Sequence, residues 1–319
     1  LLVFPLSRSR RVRPTETPPL IAQHGSDEAP SHSQKIVPAS AFAFSASKRV
    51  VEKVLTVSER RRAAQAAADA YGQPGHESIE PMFINQRYDG YTDDNQEAWR
   101  QLYAEQMAYL PERASQVYLD GAEAIGLKPD GIPNIEQLNA RLEPRTGWNS
   151  VPVPGYIPAK AFFACLAARR FPTTIVIRPL ERLDYLPEPD IFHDVFGHVP
   201  LHADPVFADF LQTYGQAALH ATTDQQTEEL ARLFWFTVEF GLIQEDERLK
   251  VYGSGLISSP GESRHALESP EVDRRPFDLE QVIATPFEID HYQPILYVLD
   301  SFDQLREAML SYAGRLQPA

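Results

Sequence analysis

His193 and His198, five positions apart in Pro-Glu-Pro-Asp-Ile-Phe-His-Asp-Val-Phe-Gly-His-Val-Pro, can offer two neutral nitrogen ligands to one metal ion. Glu239 follows 41 positions later, inside the apolar run Leu-Phe-Trp-Phe-Thr-Val-Glu-Phe-Gly-Leu. A carboxylate buried there without a partner would either become protonated or destabilise the fold. Two histidines and one carboxylate make the open-faced ligand set with which non-haem ferrous iron activates oxygen. Five positions span ~140° around a regular helix, so the two rings converge only if that helix distorts or ends. Gly197 and Pro200 supply an ending. The zinc-protease pattern His-Glu-x-x-His is not met, since the spacing differs and Asp194 stands in place of its general base. The residues alone also allow two ordinary histidines and a Glu239 paired with an Arg or Lys. One divalent cation accounts for all three together.

Arg178 closes the run Thr-Thr-Ile-Val-Ile, which reads as a short buried strand. Its guanidinium fork suits a carboxylate, either a protein acid such as Asp190 or that of a substrate, and the structural pair is the simpler reading. Asp190 follows Pro189 and precedes Ile191-Phe192, so it is placed to cap a helix. Trp235 stands with Phe234 and Phe236 in a run that reads as core, and Ser258 and Ser259 as capping or turn residues.

Around these residues the chain reads as mainly α, an α+β fold with a few short strands. Trp99, Leu102, Tyr103, Met107 and Leu110 keep helical spacing. Leu127-Lys-Pro-Asp-Gly-Ile-Pro133 is turn chemistry. Pro158 opens a helix through Phe162, Phe163 and Leu166 that ends near Phe171-Pro172. Asp204-Pro205 starts another with Phe207, Phe210, Leu211 and Tyr214 on one stripe, and Ser301 caps a closing helix. Tyr252 to Glu262 reads as a glycine-rich loop. Residues 1–45, rich in Pro, Ser, His and Ala, are expected to be unstructured or a targeting or mis-started extension; residues 46–87 form a charged, largely helical segment, and 88–319 one compact domain.

Of 319 residues, 44 are acidic and 30 basic, and the net charge of −14 disfavours nucleic acid and anionic membranes as partners. No apolar stretch approaches the ~20 residues of a membrane span. A single cysteine, Cys165, precludes an internal disulfide and points to a reducing, cytoplasmic setting.

Together these stretches resemble the catalytic domain of the pterin-dependent aromatic amino acid hydroxylases, from about Tyr88 to Tyr312. The anchors are Pro-Glu-Pro-Asp…His-x4-His-Val-Pro-Leu and Trp-Phe-Thr-Val-Glu-Phe-Gly-Leu, with Thr146-Gly-Trp148 before them and Tyr252-Gly-Ser-Gly-Leu-Ile-Ser-Ser259 and Gln293-Pro294 after them, in the expected order. Bacterial phenylalanine-hydroxylating members are the nearest type. The resemblance implies Fe(II) on His193, His198 and Glu239. It implies a substrate carboxylate held by Arg178 and Ser258, with Asp190 behind Arg178, and a ring slot lined by Pro189 and Trp235. Ile289 stands where tyrosine-hydroxylating members carry an acid, which favours phenylalanine. A tetrahydropterin would stack on Phe162 near Gly155, Ile157 and Asp194, with Glu262 a further pocket acid. O2 would be divided between the pterin and the ring of L-phenylalanine. Tryptophan, or meta hydroxylation of phenylalanine, is the alternative within the family; a zinc hydrolase and a metal-stabilised binding protein are alternatives outside it.

The family further implies a functional link to a pterin carbinolamine dehydratase. Without a recognisable regulatory domain or tetramerisation helix, a monomer is expected. Asp194 replaces the Glu of animal members, Phe234 their Tyr, Leu186 their Thr and Pro172 their His.

Overall fold

The computed structural model of the chain describes residues 66, 70–73, 77–155, 157–183, 189–289 and 291–316. The expectation for residues 1–45, nearly all of the N-terminal charged helix, and Leu186 lie outside them.

Between Asp93 and Thr146 lie three α-helices. Helix α1, Asp93–Met107, starts at a reciprocal capping box between Thr92 and Asn95 and buries Trp99 and Leu102. Leu110 falls just beyond it, in a 3-10 turn. Helix α2 is Gln116–Ala124 and α3 is Ile135–Thr146, with the expected turn between them.

Next, β1 (Asn149–Val153), α4 (Ala159–Ala167) and β2 (Arg170–Thr174) form a parallel strand–helix–strand unit, in register from Asn149↔Arg170 to Val153↔Thr174. Two expectations are corrected here. Helix α4 ends at Ala167, not near Pro172, because Arg169 takes the left-handed conformation at φ 56°. The strand begins three residues before Thr173 and stops at Thr174. Its partner runs out at Val153, where Pro154 and Gly155 (φ 146°) follow. Ile175 and Val176 instead offer their carbonyls to the Tyr91 hydroxyl (2.7 Å) and the Ile191 N–H (2.7 Å).

The middle of the chain carries two π-helical turns, Phe192–His198 and Trp235–Glu239. Between them lie a 3-10 turn (Val199–Ala203), α5 (Pro205–Leu219, capped by Asp204) and α6 (Asp224–Phe234). The first π-turn is gripped by α1: Phe192 stacks on Phe196 at 4.5 Å, and Trp99 meets Phe192 edge-on at 5.2 Å. Each such fully buried ring contributes about 2–3 kcal/mol of transfer free energy, enough to hold a turn of unfavourable hydrogen bonding.

A four-stranded mixed sheet follows, in the order β4-β3-β6-β5. It comprises β3 (Leu242–Glu245), β4 (Arg248–Val251), β5 (Asp273–Pro276) and β6 (Ile295–Leu299). The segment expected as a glycine-rich loop is instead two helices, α7 (Ser254–Ile257) and α8 (Pro260–Glu268). Its glycines serve close approach: a Cβ on Gly253 would lie 2.4 Å from the Glu239 carbonyl oxygen and from Gly241 N. Helices α9 (Leu279–Ala284) and α10 (Phe302–Leu316) complete the domain, and Ser301 accepts the Gln304 N–H as the expected cap. The described residues are therefore helix-rich with a few short strands, as expected, and none of their helices is long and apolar enough to cross a membrane.

Candidate active site

In a π-helix each N–H bonds the carbonyl five residues back, which brings residues five apart onto one side. The first π-turn therefore aligns His193 and His198, with their Nε2 atoms 3.1 Å apart. Glu239 ends the second π-turn and faces both, its carboxylate oxygens 3.6 Å from His193 Nε2 and 3.5 Å from His198 Nε2. The sequence anticipated a distortion at the histidines; widening of the helix supplies it, rather than termination at Gly197 and Pro200.

Neighbouring hydroxyls orient the donors. Ser258 donates its proton to the Ser254 carbonyl (2.8 Å), so its oxygen can only accept from His193 Nδ1, also at 2.8 Å. The His193 proton is thereby placed on Nδ1 and the Nε2 lone pair is left facing Glu239. Ser254 Oγ lies 2.8 Å from a Glu239 oxygen. Burial holds the His193 imidazole well below its usual range despite the pull of Glu239. Burial by itself would raise the Glu239 carboxyl, but His198 and then His193 outweigh it, and the group stays ionised. Two imidazole nitrogens and one carboxylate fit a divalent metal with open coordination positions.

Asp194 also falls near the histidines, its oxygen within 4.8 Å of their nitrogens. It is already engaged, since one of its oxygens accepts the Thr174 N–H (2.7 Å) and hydroxyl (2.8 Å). Burial pushes this acid up to about 6 against those two bonds. Glu239 stands nearer to both histidines and fits the third ligand position better.

Asp190 and Arg178 form a buried bidentate pair, with Arg178 Nε 2.8 Å and Nη2 3.0 Å from the two carboxylate oxygens. Asp190 also accepts the backbone N–H of Arg178 (2.9 Å) and, as a helix cap, that of His193 (2.9 Å). Arg178 Nη1 reaches the Leu183 carbonyl at 3.0 Å. Bonds to described residues use three of the five guanidinium protons, one on each nitrogen.

A cavity of about 510 Å³, its open mouth included, lies over the His193, His198 and Glu239 side chains. Gly155, Ile157, Phe162, Pro189 and Asp194 line it, as does Phe234. Sequence reasoning missed Phe171, a lining residue whose ring sits 4.8 Å from that of His198, and Thr174, which holds Asp194. Both were read as helix end and strand rather than as cavity wall. Arg178, Asp190, Trp235, Ser258, Glu262 and Ile289 do not line this cavity. Ser258 contacts His193 rather than open space, Trp235 is buried against Phe287 and Phe240, and Ile289 is half-exposed.

Two results follow from these contacts. Ser258→Ala should weaken ferrous iron binding by about 10–100-fold while leaving the fold intact, because it frees the His193 tautomer; competition with a coloured chelator reads this, and unchanged affinity would mean the hydroxyl does not orient His193. Glu262, at the third position of α8, has its carboxyl raised by burial to about 7 from an ordinary 4.5. Such a group costs nothing while both states are protonated. As pH rises from about 4.5 to 7 the unfolded chain ionises first, and stability is lost. Glu262→Gln should therefore stabilise the protein by about 1–3 kcal/mol at pH 8 and change little at pH 4, as read from urea midpoints. Equal effects at both pH values would contradict the assignment.

Residues 80–319 match the family model described as biopterin-dependent aromatic amino acid hydroxylase. A phenylalanine-4-hydroxylase of Ralstonia nicotianae is 45% identical over 233 residues, which is 73% of this chain and 74% of the relative. A Chromobacterium violaceum phenylalanine hydroxylase structure with iron(III) and oxidised 7,8-dihydrobiopterin superposes with a TM-score of 0.71 at 40% identity, covering 78% of this chain and 90% of that one. The same enzyme with iron and phenylalanine bound gives 0.68 at 40% identity, covering 74% and 87%. With the matched segment spanning His193, His198, Glu239 and the cavity over them, the chain belongs to the biopterin-dependent aromatic amino acid hydroxylases.

Proposed function

We propose that this chain is an iron- and tetrahydropterin-dependent monooxygenase that converts L-phenylalanine to L-tyrosine with O2. The observation that carries the reading is the convergence of His193 Nε2, His198 Nε2 and the Glu239 carboxylate beneath a cavity walled by Phe162, Phe171 and Phe234. The names and bound groups of the relatives support it.

On this reading His193, His198 and Glu239 hold Fe(II). Phe162, Gly155, Ile157 and Asp194 receive the pterin, with Glu262 close by. Reduced pterin and ferrous iron, when bound, supply the electrons that divide O2 and deliver one oxygen atom to the ring. The chain's own residues bind, orient and dehydrate. Arg178 offers its two remaining N–H groups to the amino acid carboxylate, with Asp190 fixing the guanidinium and Ser258 nearby. Pro189, Trp235 and Ile289 bound the space for the aromatic ring, so that one ring edge meets the metal. The catalytic domain is residues 88–319, preceded by a segment over 46–87 and an extension over 1–45. The protein works as a cytoplasmic monomer beside a pterin carbinolamine dehydratase. A tetramer in a size measurement would overturn the monomer.

The test is product analysis of metal-stripped protein reloaded with ferrous iron or zinc, given air, a tetrahydropterin and phenylalanine or tryptophan. Tyrosine formed only with iron and pterin is expected. Hydroxytryptophan or meta-tyrosine would overturn the substrate or the position, and no product from iron-loaded protein would overturn the activity.

A further inference from the structure

Gln293 is 3% exposed and makes three hydrogen bonds. Its Oε1 accepts the Trp235 indole N–H at 3.0 Å. Its Nε2 donates to the Glu288 carbonyl at 2.8 Å and to the His291 carbonyl at 3.1 Å. The amide has two protons to give, and both are committed. Reversing it would set its oxygen against two carbonyls and its NH2 against an N–H, so its orientation is fixed.

The same loop is tied down twice more. Phe287 stacks on Trp235 at 4.5 Å and 13°, and Tyr292 stacks on His265 of α8 at 4.7 Å and 19°. Trp235 opens the turn that ends in Glu239. Its carbonyl accepts the Phe240 N–H at 2.9 Å, and its ring lies 4.6 Å from that of Phe240. Loop, indole and metal-side turn are thus joined through one buried amide.

We infer that Gln293 is a specificity-determining positioning residue: it locks the loop that carries Ile289 to the Trp235 indole and so fixes the width of the slot for the substrate ring. The inference rests on the proposed hydroxylation and on Trp235 bounding that slot. Gln293 acts through Trp235 and the loop, touching neither metal nor cavity.

Gln293→Glu separates its two functions, because it keeps an acceptor for Trp235 but turns an oxygen toward two carbonyls. Gln293→Met removes every bond at similar volume. In iron-loaded protein, calorimetric titration with phenylalanine and steady-state kinetics with phenylalanine and tryptophan are compared with wild type. Both variants are expected to keep their iron and to raise the phenylalanine Kd and KM about tenfold with kcat within about threefold. The preference for phenylalanine over tryptophan should fall about tenfold. Folded, iron-loaded variants whose Kd, KM and preference stay within about twofold of wild type would overturn the inference. If neither variant folds, Phe287→Leu loosens the same loop from its other side. It is expected to lower the preference in the same direction, and an unchanged preference there overturns the inference equally. A wild-type protein that acts on neither amino acid refutes the proposed activity instead. In that case the clamp is still tested by the emission of Trp235, assigned among the three tryptophans by Trp235→Phe: Gln293→Met should shift it, and an unshifted band refutes the clamp.

Discussion

Glu239→Gln should lose ferrous iron, with binding weaker by ~100-fold or more and no turnover, while its metal-free form melts below metal-free wild type. The first half follows from the charge. The carboxylate is the only anionic member of the set and faces both imidazoles at 3.5–3.6 Å, and an amide brings neither the charge nor the basicity. The second half follows from the attraction that is lost: His198 and then His193 outweigh the burial of the carboxylate and hold it ionised, whereas an amide keeps only the bond from the Ser254 hydroxyl. A metal at a hundredfold excess over its Kd adds about 2.7 kcal/mol of stability to wild type, which the variant forfeits. Iron per protein after gel filtration, with melting curves in the presence and absence of iron, reads both halves. Full iron occupancy with turnover would transfer the third ligand to another acid, Asp194 being the nearest.

Asp190→Ala should cost about 3–5 kcal/mol, the largest stability loss expected of any single site residue. Asp190 is fully buried and accepts from Arg178 N, Nε and Nη2 and from His193 N. Truncating it strands a guanidinium that is itself 8% exposed and removes the cap of the turn that presents His193. Arg178→Lys tests the other side of the pair. A point charge cannot bond Asp190 twice and still present two N–H groups to a substrate, so KM for phenylalanine should rise at least tenfold with a smaller loss of stability. Urea unfolding at fixed metal concentration reads the first variant and steady-state kinetics the second. A loss below about 1 kcal/mol for Asp190→Ala would mean the pair is a minor structural contact. An unchanged KM for Arg178→Lys would leave Arg178 with a structural role alone.

The reach of the sequence over this site has a physical pattern. Glu239 was legible because a charge in an apolar run demands a partner, and the histidines because two such ligands answer that demand. Asp190 was legible as a cap because Pro189 before it and apolar residues after it define a helix start. The π-turns were not legible: widening a helix by one residue per hydrogen bond leaves no mark on apolar periodicity, and its stability comes from remote contacts such as Trp99 on Phe192. Strand β2 was misplaced for a related reason. Thr-Thr-Ile-Val-Ile has strand propensity throughout, but a strand exists only where a partner does, and β1 ends opposite Thr174. The glycines of 253–261 were read as loop residues, when two of them permit backbone contact with Glu239 and the segment is helical. Local propensity cannot distinguish these two uses of glycine.

The most direct test of the central claim is oxygen-isotope tracing. Iron-loaded protein turns over phenylalanine with a tetrahydropterin under oxygen-18 gas in ordinary water, and the tyrosine is analysed by mass spectrometry. One oxygen-18 atom in each phenol hydroxyl is predicted, and the Glu239→Gln protein is predicted to form no tyrosine. Tyrosine carrying only water-derived oxygen, or labelled tyrosine from the Glu239→Gln protein at wild-type yield, would contradict a monooxygenase centred on His193, His198 and Glu239.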